Sequence, residues 1–250
     1  IWNTDRSEAQ IQANMHTELA GNESGLVAYY NFNRISGTTL PDLTGNGNDG
    51  TLTNGPAWTD SAAFNVWTGD TDTDWHTAGN WTDGVPTASA NVHIPSGGTP
   101  EISAADAVCN HLILGGGSLS VGSGGKLTIG GNSFNYGTLT ADGEIVFSGS
   151  SEQIIMDGAY TDLTVDNAAG TVLDGDVTVG GKLTLAAGSI DTAGNTLSFG
   201  TGGTLVYNGT AAQTTSDAEF PGSGGPENLT VDNTAGVTLH GDRTVPGTLT

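Results

Sequence analysis

The stretch Leu163-Thr164-Val165-Asp166-Asn167-Ala168-Ala169-Gly170 returns 66 residues later as Leu229-Thr230-Val231-Asp232-Asn233-Thr234-Ala235-Gly236. The likeness runs on. Val172-Leu173-Asp174-Gly175-Asp176 answers to Thr238-Leu239-His240-Gly241-Asp242, and Gly181-Lys182-Leu183-Thr184 answers to Gly247-Thr248-Leu249-Thr250. A long internal period makes a chain a stack of like units, which limits its fold more than any local propensity does. A shorter repeat lies inside the long one. Apolar-x-apolar triplets start at Leu112, Leu127, Ile145, Leu163, Leu183, Leu205, Leu229 and Leu249, with gaps of 15, 18, 18, 20, 22, 24 and 20 residues. Positions i and i+2 of a strand share a face, so Leu127/Ile129, Ile145/Phe147, Leu163/Val165, Leu183/Leu185 and Leu205/Tyr207 point inward. The middle residue points out and is most often Thr: Thr128, Thr164, Thr184, Thr230 and Thr250. Strands this short, parted by Gly, Asn and Asp, cannot bury a face alone, but stacked coils can. The expectation is an all-β chain dominated by a parallel β-solenoid of roughly 18–24 residues per coil.

Glycine supplies 40 of the 250 residues, without the three-residue period of collagen. Coils that turn sharply need positions with positive φ, which Gly takes at little steric cost. Five Lys and Arg against 27 Asp and Glu leave a formal net charge of −22. Such a chain repels phosphate backbones and anionic lipid, which argues against nucleic acid and membrane insertion. Extracellular glycans, free cations or neighbouring copies of the chain itself are the better-matched partners. The single cysteine, Cys109, cannot form an internal disulfide. No apolar run approaches the ~18 residues of a membrane span, and Ile1 does not open a signal-peptide pattern. Both ends read as cuts within a longer chain, since Ile1-Trp2-Asn3 begins in mid-element and Leu249-Thr250 stops inside a repeat.

Residues 7–19 read as the one helix. Ser7 and Gln10 have capping-box spacing, and Ile11, Met15 and Leu19 fall on one stripe before Gly21 and Asn22. Leu26-Val27-Ala28-Tyr29-Tyr30-Asn31-Phe32 reads as a strand, followed by a polar turn and a short strand near Thr51-Leu52. Ile1-Trp2-Asn3, Arg6-Ser7 and this helix resemble the closing element of laminin-G-like, concanavalin-type jelly-roll domains. Gly25-Leu26-Val27-Ala28-Tyr29-Tyr30 and Asp42-Leu43-Thr44-Gly45-Asn46-Gly47-Asn48-Asp49-Gly50-Thr51-Leu52 resemble a signature of the same family. That resemblance implies the incomplete tail of a two-sheet sandwich over 1–63, from a family that often binds calcium and serves in glycan binding or adhesion. Around Ser61-Ala62-Ala63 the character changes. Trp67-Thr68-Gly69, Trp75, Asn80-Trp81 and Val85-Pro86 resemble the block that opens Gly-rich β-helix regions in large secreted bacterial surface proteins. A solenoid's first coil exposes an apolar end and needs a cap, which 64–91 can supply. The solenoid domain then spans 64–250, open at its C-terminal end, with one excursion at 216–227.

Several groups are candidate sites. Asp70, Asp72 and Asp74 alternate, so they share a face if extended and imitate the start of a calcium loop if bent; Trp75 and Trp81 stand where an EF-hand needs Gly and Glu. Asp42, Asn46, Asn48 and Asp49 form an oxygen-rich loop bent by Gly45 and Gly47, the donor chemistry calcium prefers. A structural Ca2+ is therefore the one cofactor expected, at one or both loops. His93, Cys109 and His111 are expected to project outward together, as a weak zinc set. Trp58, Trp67, Trp75 and Trp81 read as buried capping residues before they read as a sugar platform. The Thr column is explained by β-propensity without ice binding. The excursion at 216–227 contains only Asp217, Glu219 and Glu227 as charges, and no nucleophile or phosphate-loop motif occurs in the chain. No catalytic residues are assigned. The functional expectation is a segment of an extracellular bacterial surface protein serving as an adhesive or structural stalk. The alternatives are a filament or sheath subunit completed by neighbouring chains, and a polysaccharide-processing β-helix enzyme.

Overall fold

The computed structural model describes residues 1–7, 10–11, 19–30, 38–54 and 64–250. Two compact units emerge, Ile1–Ala62 and Ala63–Thr250. Met15 and Trp58, and with them most of the expected helix, lie outside the described residues. Its start lies within them: Ser7 N donates to Gln10 Oε1 (3.0 Å) and Gln10 N to Ser7 Oγ (3.3 Å), the reciprocal pair of a capping box.

The second unit is a parallel β-solenoid of about seven turns over residues 92–238. Each full coil contributes three strands, one to each of three faces. The first face holds Val92–Pro95, Leu112–Gly115 and Ser133–Asn135, paired in parallel, and goes on through Gln153–Ile155, Thr171–Leu173 and Ile190–Asp191. Glu101–Ile102 and Ser118–Val121 open the second face, and Leu197–Phe199 ends it. Asp106–Cys109, Lys126–Ile129, Thr204–Tyr207 and Asn228–Val231 lie on the third. The long strands Thr138–Phe147, Gly158–Asp166 and Val177–Ala187 bend through a bulge or register shift and so serve the second and third faces in turn.

The repeated triplets are the third face. Ala107, Leu127, Ile145, Leu163, Leu183, Leu205 and Leu229 stand opposite one another in unbroken register, and Leu249 bridges Leu229. Each is buried except Leu249, which is exposed. The expected stacking of Leu163, Leu183, Leu205 and Leu229 is therefore present, at the roughly 4.8 Å spacing of paired strands. One member of the series is misplaced. Leu112 sits on the first face between Val92 and Ser133, and Ile113 goes with it, so neither belongs to the Leu or the Thr column. The second face is also apolar inside, through Leu119, Val121, Tyr160, Val177 and Val179, whereas the first mixes buried Val92, Ile94, Leu114, Ile155 and Leu173 with Ser133, Gln153 and Thr171, which are buried yet polar.

Those polar residues have partners built by the repeat. Gln153 Nε2 donates to Ile129 O (2.9 Å) and Gly131 O (2.6 Å) of the preceding coil, while its Oε1 accepts from Gly149 N (2.6 Å). Asn167 Nδ2 then donates to Gln153 Oε1 (2.8 Å) and Ser151 O (2.7 Å). The second copy repeats the arrangement, with Asn233 Nδ2 on Gln213 Oε1 (2.8 Å) and Ala211 O (2.7 Å), and Gln213 Nε2 on Leu185 O (3.0 Å). Asn167 and Asn233 are the Asn of the two repeated octets. A Cβ on Gly149 would lie 2.6 Å from Gln153 Cδ, so only Gly lets the backbone approach the amide. The duplicated octet thus encodes a side-chain clasp across three coils.

At the N-terminal end, Trp67, Trp75 and Trp81 are all buried. Trp81 lies edge-on to Trp67 (4.9 Å between centroids) and to Trp75 (4.7 Å), and its Nε1 donates to Trp75 O (2.8 Å). Rings packed this way close the bore and present no free face to a sugar.

The first unit shows one antiparallel pair, Thr39–Leu40 with Gly50–Thr51, and an isolated Trp2–Leu26 bridge. A two-sheet sandwich is not seen among its described residues. Of the expected strand at 26–32, residues 31 and 32 are outside the description, and 27–30 form no ladder. Tyr29 N donates instead to the Asp42 carboxylate (3.1 Å), and Val27 O accepts from the side chains of Asn46 and Asn48. A side-chain hub replaces the strand partner.

Three substitutions test the packing and the clasp. Leu183→Ala is expected to cost about 2–5 kcal/mol in denaturant unfolding, as a large-to-small change in a packed bore, whereas outward Thr184→Ala should stay within about 0.5 kcal/mol. Asn167→Ala should cost about 1–3 kcal/mol, because Gln153 and Ser151 O lose a buried donor.

Candidate functional site at the broken coil

The repeat breaks once. The turn that begins with Gln213–Thr214 and ends with Asn228–Val231 has no second-face strand among the described residues. Residues 215–227 cross that face as a strap. Phe220 N donates to Ser216 O (3.0 Å), closing one helical turn. Ser216-Asp217-Ala218-Glu219 is a capping-box sequence, and Ser216 N donates to Glu219 Oε1 (2.6 Å) while Ser216 Oγ bonds Oε2. The turn drives Phe220 into the bore, where it is 1% exposed and fills space a strand residue would have filled. Glu219 enters beside it, 2% exposed, and accepts the Tyr207 O–H at 2.7 Å. Burial, the neighbouring Glu219 charge and this hydrogen bond all push the Tyr207 phenol far above its ordinary range, so it stays a donor.

The strap is pinned from the following coil. His240 Nε2 lies 3.0 Å from Asp217 Oδ1, and Arg243 Nη2 reaches the same oxygen and the imidazole. Arg243 Nε donates to Phe220 O (2.6 Å) and Nη1 to Asp242 O (2.8 Å). His240 Nδ1 meets Thr215 Oγ1 (2.5 Å), which also accepts from His240 N (3.0 Å). The hydrogen bond from His240 holds the Asp217 carboxyl below its usual range; partial burial opposes this and the Arg243 charge adds to it. Hydroxyl, imidazole and carboxylate stand in a row, but Thr215 is 2% exposed and held by two bonds. No substrate reaches such an oxygen. The row acts as a latch.

Residues 216–227 contain no Lys, Arg or His of their own, and the basic groups that meet the strap, His240 and Arg243, come from the next turn. One signal existed: His240 replaces Asp174 of the first repeat copy, a departure placed beside the excursion. Two clefts flank the strap. One, of about 420 Å³, runs along the corner residues 186–189 and 210–214 to Tyr207 and Glu219. The other, of about 600 Å³, lies between 189–197 and 216–221, with Asp191, Asn195, Thr192, Asp217, Leu197 and Pro221 in its wall.

The other candidates stay scattered. Asp72 accepts from Asn80 Nδ2 (2.7 Å), Asp74 N (2.9 Å) and Thr77 Oγ1 (3.1 Å), which hold it below the usual carboxylate range against a smaller effect of burial. Asp74 accepts from His76 N (2.9 Å), and Asp70 is exposed. Asp42 Oδ1 accepts from Thr44 Oγ1 (2.7 Å), Thr44 N (3.0 Å) and Tyr29 N (3.1 Å), Oδ2 from Asn48 N (3.1 Å), and Asp49 Oδ1 from Asp42 N (2.8 Å). Calcium needs oxygens aimed at one point. Here the carboxylate already faces N–H and O–H donors, and the amides of Asn46 and Asn48 donate to Val27 O, so this arrangement does not fit the ion. Among the described residues no group of three or more His, Cys, Asp or Glu is placed to hold a metal. His93, Cys109 and His111 do not project together. Cys109 points into the bore opposite Ile129, where burial pushes its thiol up to about 12. His111 Nδ1 accepts from Asn132 N (2.8 Å), and His93 lies edge-on to Phe64.

The fold defines a class, the parallel β-solenoid with a tryptophan-capped first turn and one broken coil. Within it, residues 66–148 match a family described as a domain of unknown function (DUF8693), a span that takes in the capping block and the first coils. No curated protein and no solved structure matches the chain.

Asp42 yields a pH prediction. Burial alone would raise its pKa, but the bonds from Thr44, Tyr29 and Asn48 hold it far below the ordinary value. A depressed carboxyl stabilises the fold above its unfolded pKa of about 3.9 and loses that contribution as pH falls toward its folded value. Asp42→Asn should therefore speed hydrogen exchange at Tyr29, Thr44 and Asn48 at neutral pH. The difference from wild type should narrow steadily below about pH 5.

Proposed function

We propose that this chain is part of a large extracellular surface protein in which the solenoid serves as an adhesive or structural stalk that binds neutral glycans and does not catalyse. The observation that carries this reading is the 600 Å³ cleft beside the strap. Its wall mixes the carboxylates Asp191 and Asp217 and the amide of Asn195 with the apolar Leu197 and Pro221, and polar groups beside apolar surface suit a hydroxyl-rich ring. The formal charge of −22 disfavours anionic polymers and supports the choice of neutral ones. Outward surfaces repeated coil after coil favour many weak contacts, which together give avidity. In the same reading residues 1–63 are the tail of a laminin-G-like module. Asp217 is tied to His240 and Arg243, so it is poorly placed to serve as an acid or base, and this favours binding over turnover.

The test is a panel of neutral and acidic polysaccharides against the full chain. Neutral glycans should bind, and Ala218→Trp, which fills the cleft without removing a hydrogen-bonding side chain, should weaken binding about tenfold or more, some 1.4 kcal/mol. New reducing ends or unsaturated products would overturn the non-catalytic reading, and absence of binding across the panel would overturn the glycan reading.

A further inference from the structure

Glu219 brings a carboxylate into the bore of the solenoid, and the described residues bring no counter-charge to it. Its three hydrogen bonds come from the Tyr207 hydroxyl and from the N–H and hydroxyl of Ser216, all neutral donors. No ion pair to Glu219 forms among the described residues. Arg243, the cation of the same strap, is taken up by Asp217, Phe220 O and Asp242 O. Lys126 and Lys182 stand on the outward side of the third face. A charge withdrawn from water without a partner is expensive, so such groups pair, bind a ligand or give up the charge. Beside Glu219 lies the 420 Å³ cavity, and its walls at Ala168, Ala186, Ala187 and Gly188 are small residues that leave the space open.

We propose that this cavity is a binding site for a primary ammonium group, anchored by Glu219. A carboxylate has about four lone-pair positions, and three are engaged, so one single-point donor fits. A guanidinium, which prefers to bridge both oxygens, does not. A divalent metal is disfavoured as well, because it needs several oxygen ligands and Glu219 is the only carboxylate in the cavity wall. The ammonium replaces the missing counter-charge while its alkyl chain lies along the alanine wall. The site is separate from the glycan cleft and stands on its own observation.

Calorimetric titration of the full chain at neutral pH and about 0.15 M salt, which screens the general acidity of the surface, tests this with n-butylammonium, a lysine-containing peptide, tetramethylammonium and potassium. Saturable binding of n-butylammonium is expected, with none for tetramethylammonium or potassium. Binding of the peptide as well as the free amine would point to a partner's lysine as the source, and binding of the amine alone to a small molecule; both uphold the site. Glu219→Gln should weaken binding at least about tenfold. Since that change could also loosen the strap, Ala187→Leu, which fills the cavity and leaves Glu219 untouched, should weaken it likewise. No saturable binding, equal binding by Glu219→Gln, or equal binding of potassium would each overturn the proposal. A protonated-carboxyl infrared band at neutral pH that disappears in Glu219→Gln would also overturn it.

Discussion

Everything in the second unit depends on parallel register. A coil is held because its backbone bonds to the coil before it and the coil after it, so one slipped pairing would turn every inward side chain outward. The ladder from Ala107 through Leu127, Ile145, Leu163, Leu183, Leu205 and Leu229 keeps that register because identical or similar side chains stack on themselves. Stacked branched aliphatics fill the bore, and no coil could bury its own side chains without its neighbours. The three tryptophans close the end where that mutual burial would otherwise fail.

Register alone leaves the corners unsolved, because a turning backbone exposes carbonyls that neither neighbour's strand can reach. The Gln153–Asn167 and Gln213–Asn233 clasps answer this by placing amides where ladder bonds stop. Each buried amide is satisfied within a network, and partial satisfaction would be worse than an apolar corner. This explains why the octet containing Asn167 and Asn233 is the longest stretch the two copies share. The first unit uses the same device differently, with Asp42 gathering backbone donors around a loop that no strand completes.

The strap shows what a break in such an array permits. Where the second-face strand is missing, Phe220 restores the packing, and Glu219, Asp217, His240 and Arg243 from two successive turns gather at one place. Repetition places like beside like, whereas convergence of different chemistries needs an interruption. The two clefts lie at that interruption for the same reason.

The sequence by itself determined the class of fold and the third face. Leucine triplets at one-coil spacing admit little besides a stack, since i and i+2 alternation and coil length are local quantities. It also marked the tryptophans as a cap and 216–227 as an excursion. Leu112 was misassigned because one apolar triplet looks like another until its neighbours are known. The burial of Ser133, Gln153 and Thr171 on the first face has no apolar signature, and it is tolerable only because backbone and side-chain groups of other coils meet them: Met156 N and Ile154 O for Ser133, Asn167 Nδ2 for Gln153, Ser189 O for Thr171. Cys109 was placed outward because facing cannot be read from a single position with an undefined strand boundary. Only the tertiary structure decided that Arg243 and His240 meet Asp217, that Glu219 lies in the bore, and that Asp42 serves backbone donors. Those outcomes depend on which residues of different turns come to lie side by side, and side-chain contact between turns is set by the stacking geometry of the coils, which no local pattern contains.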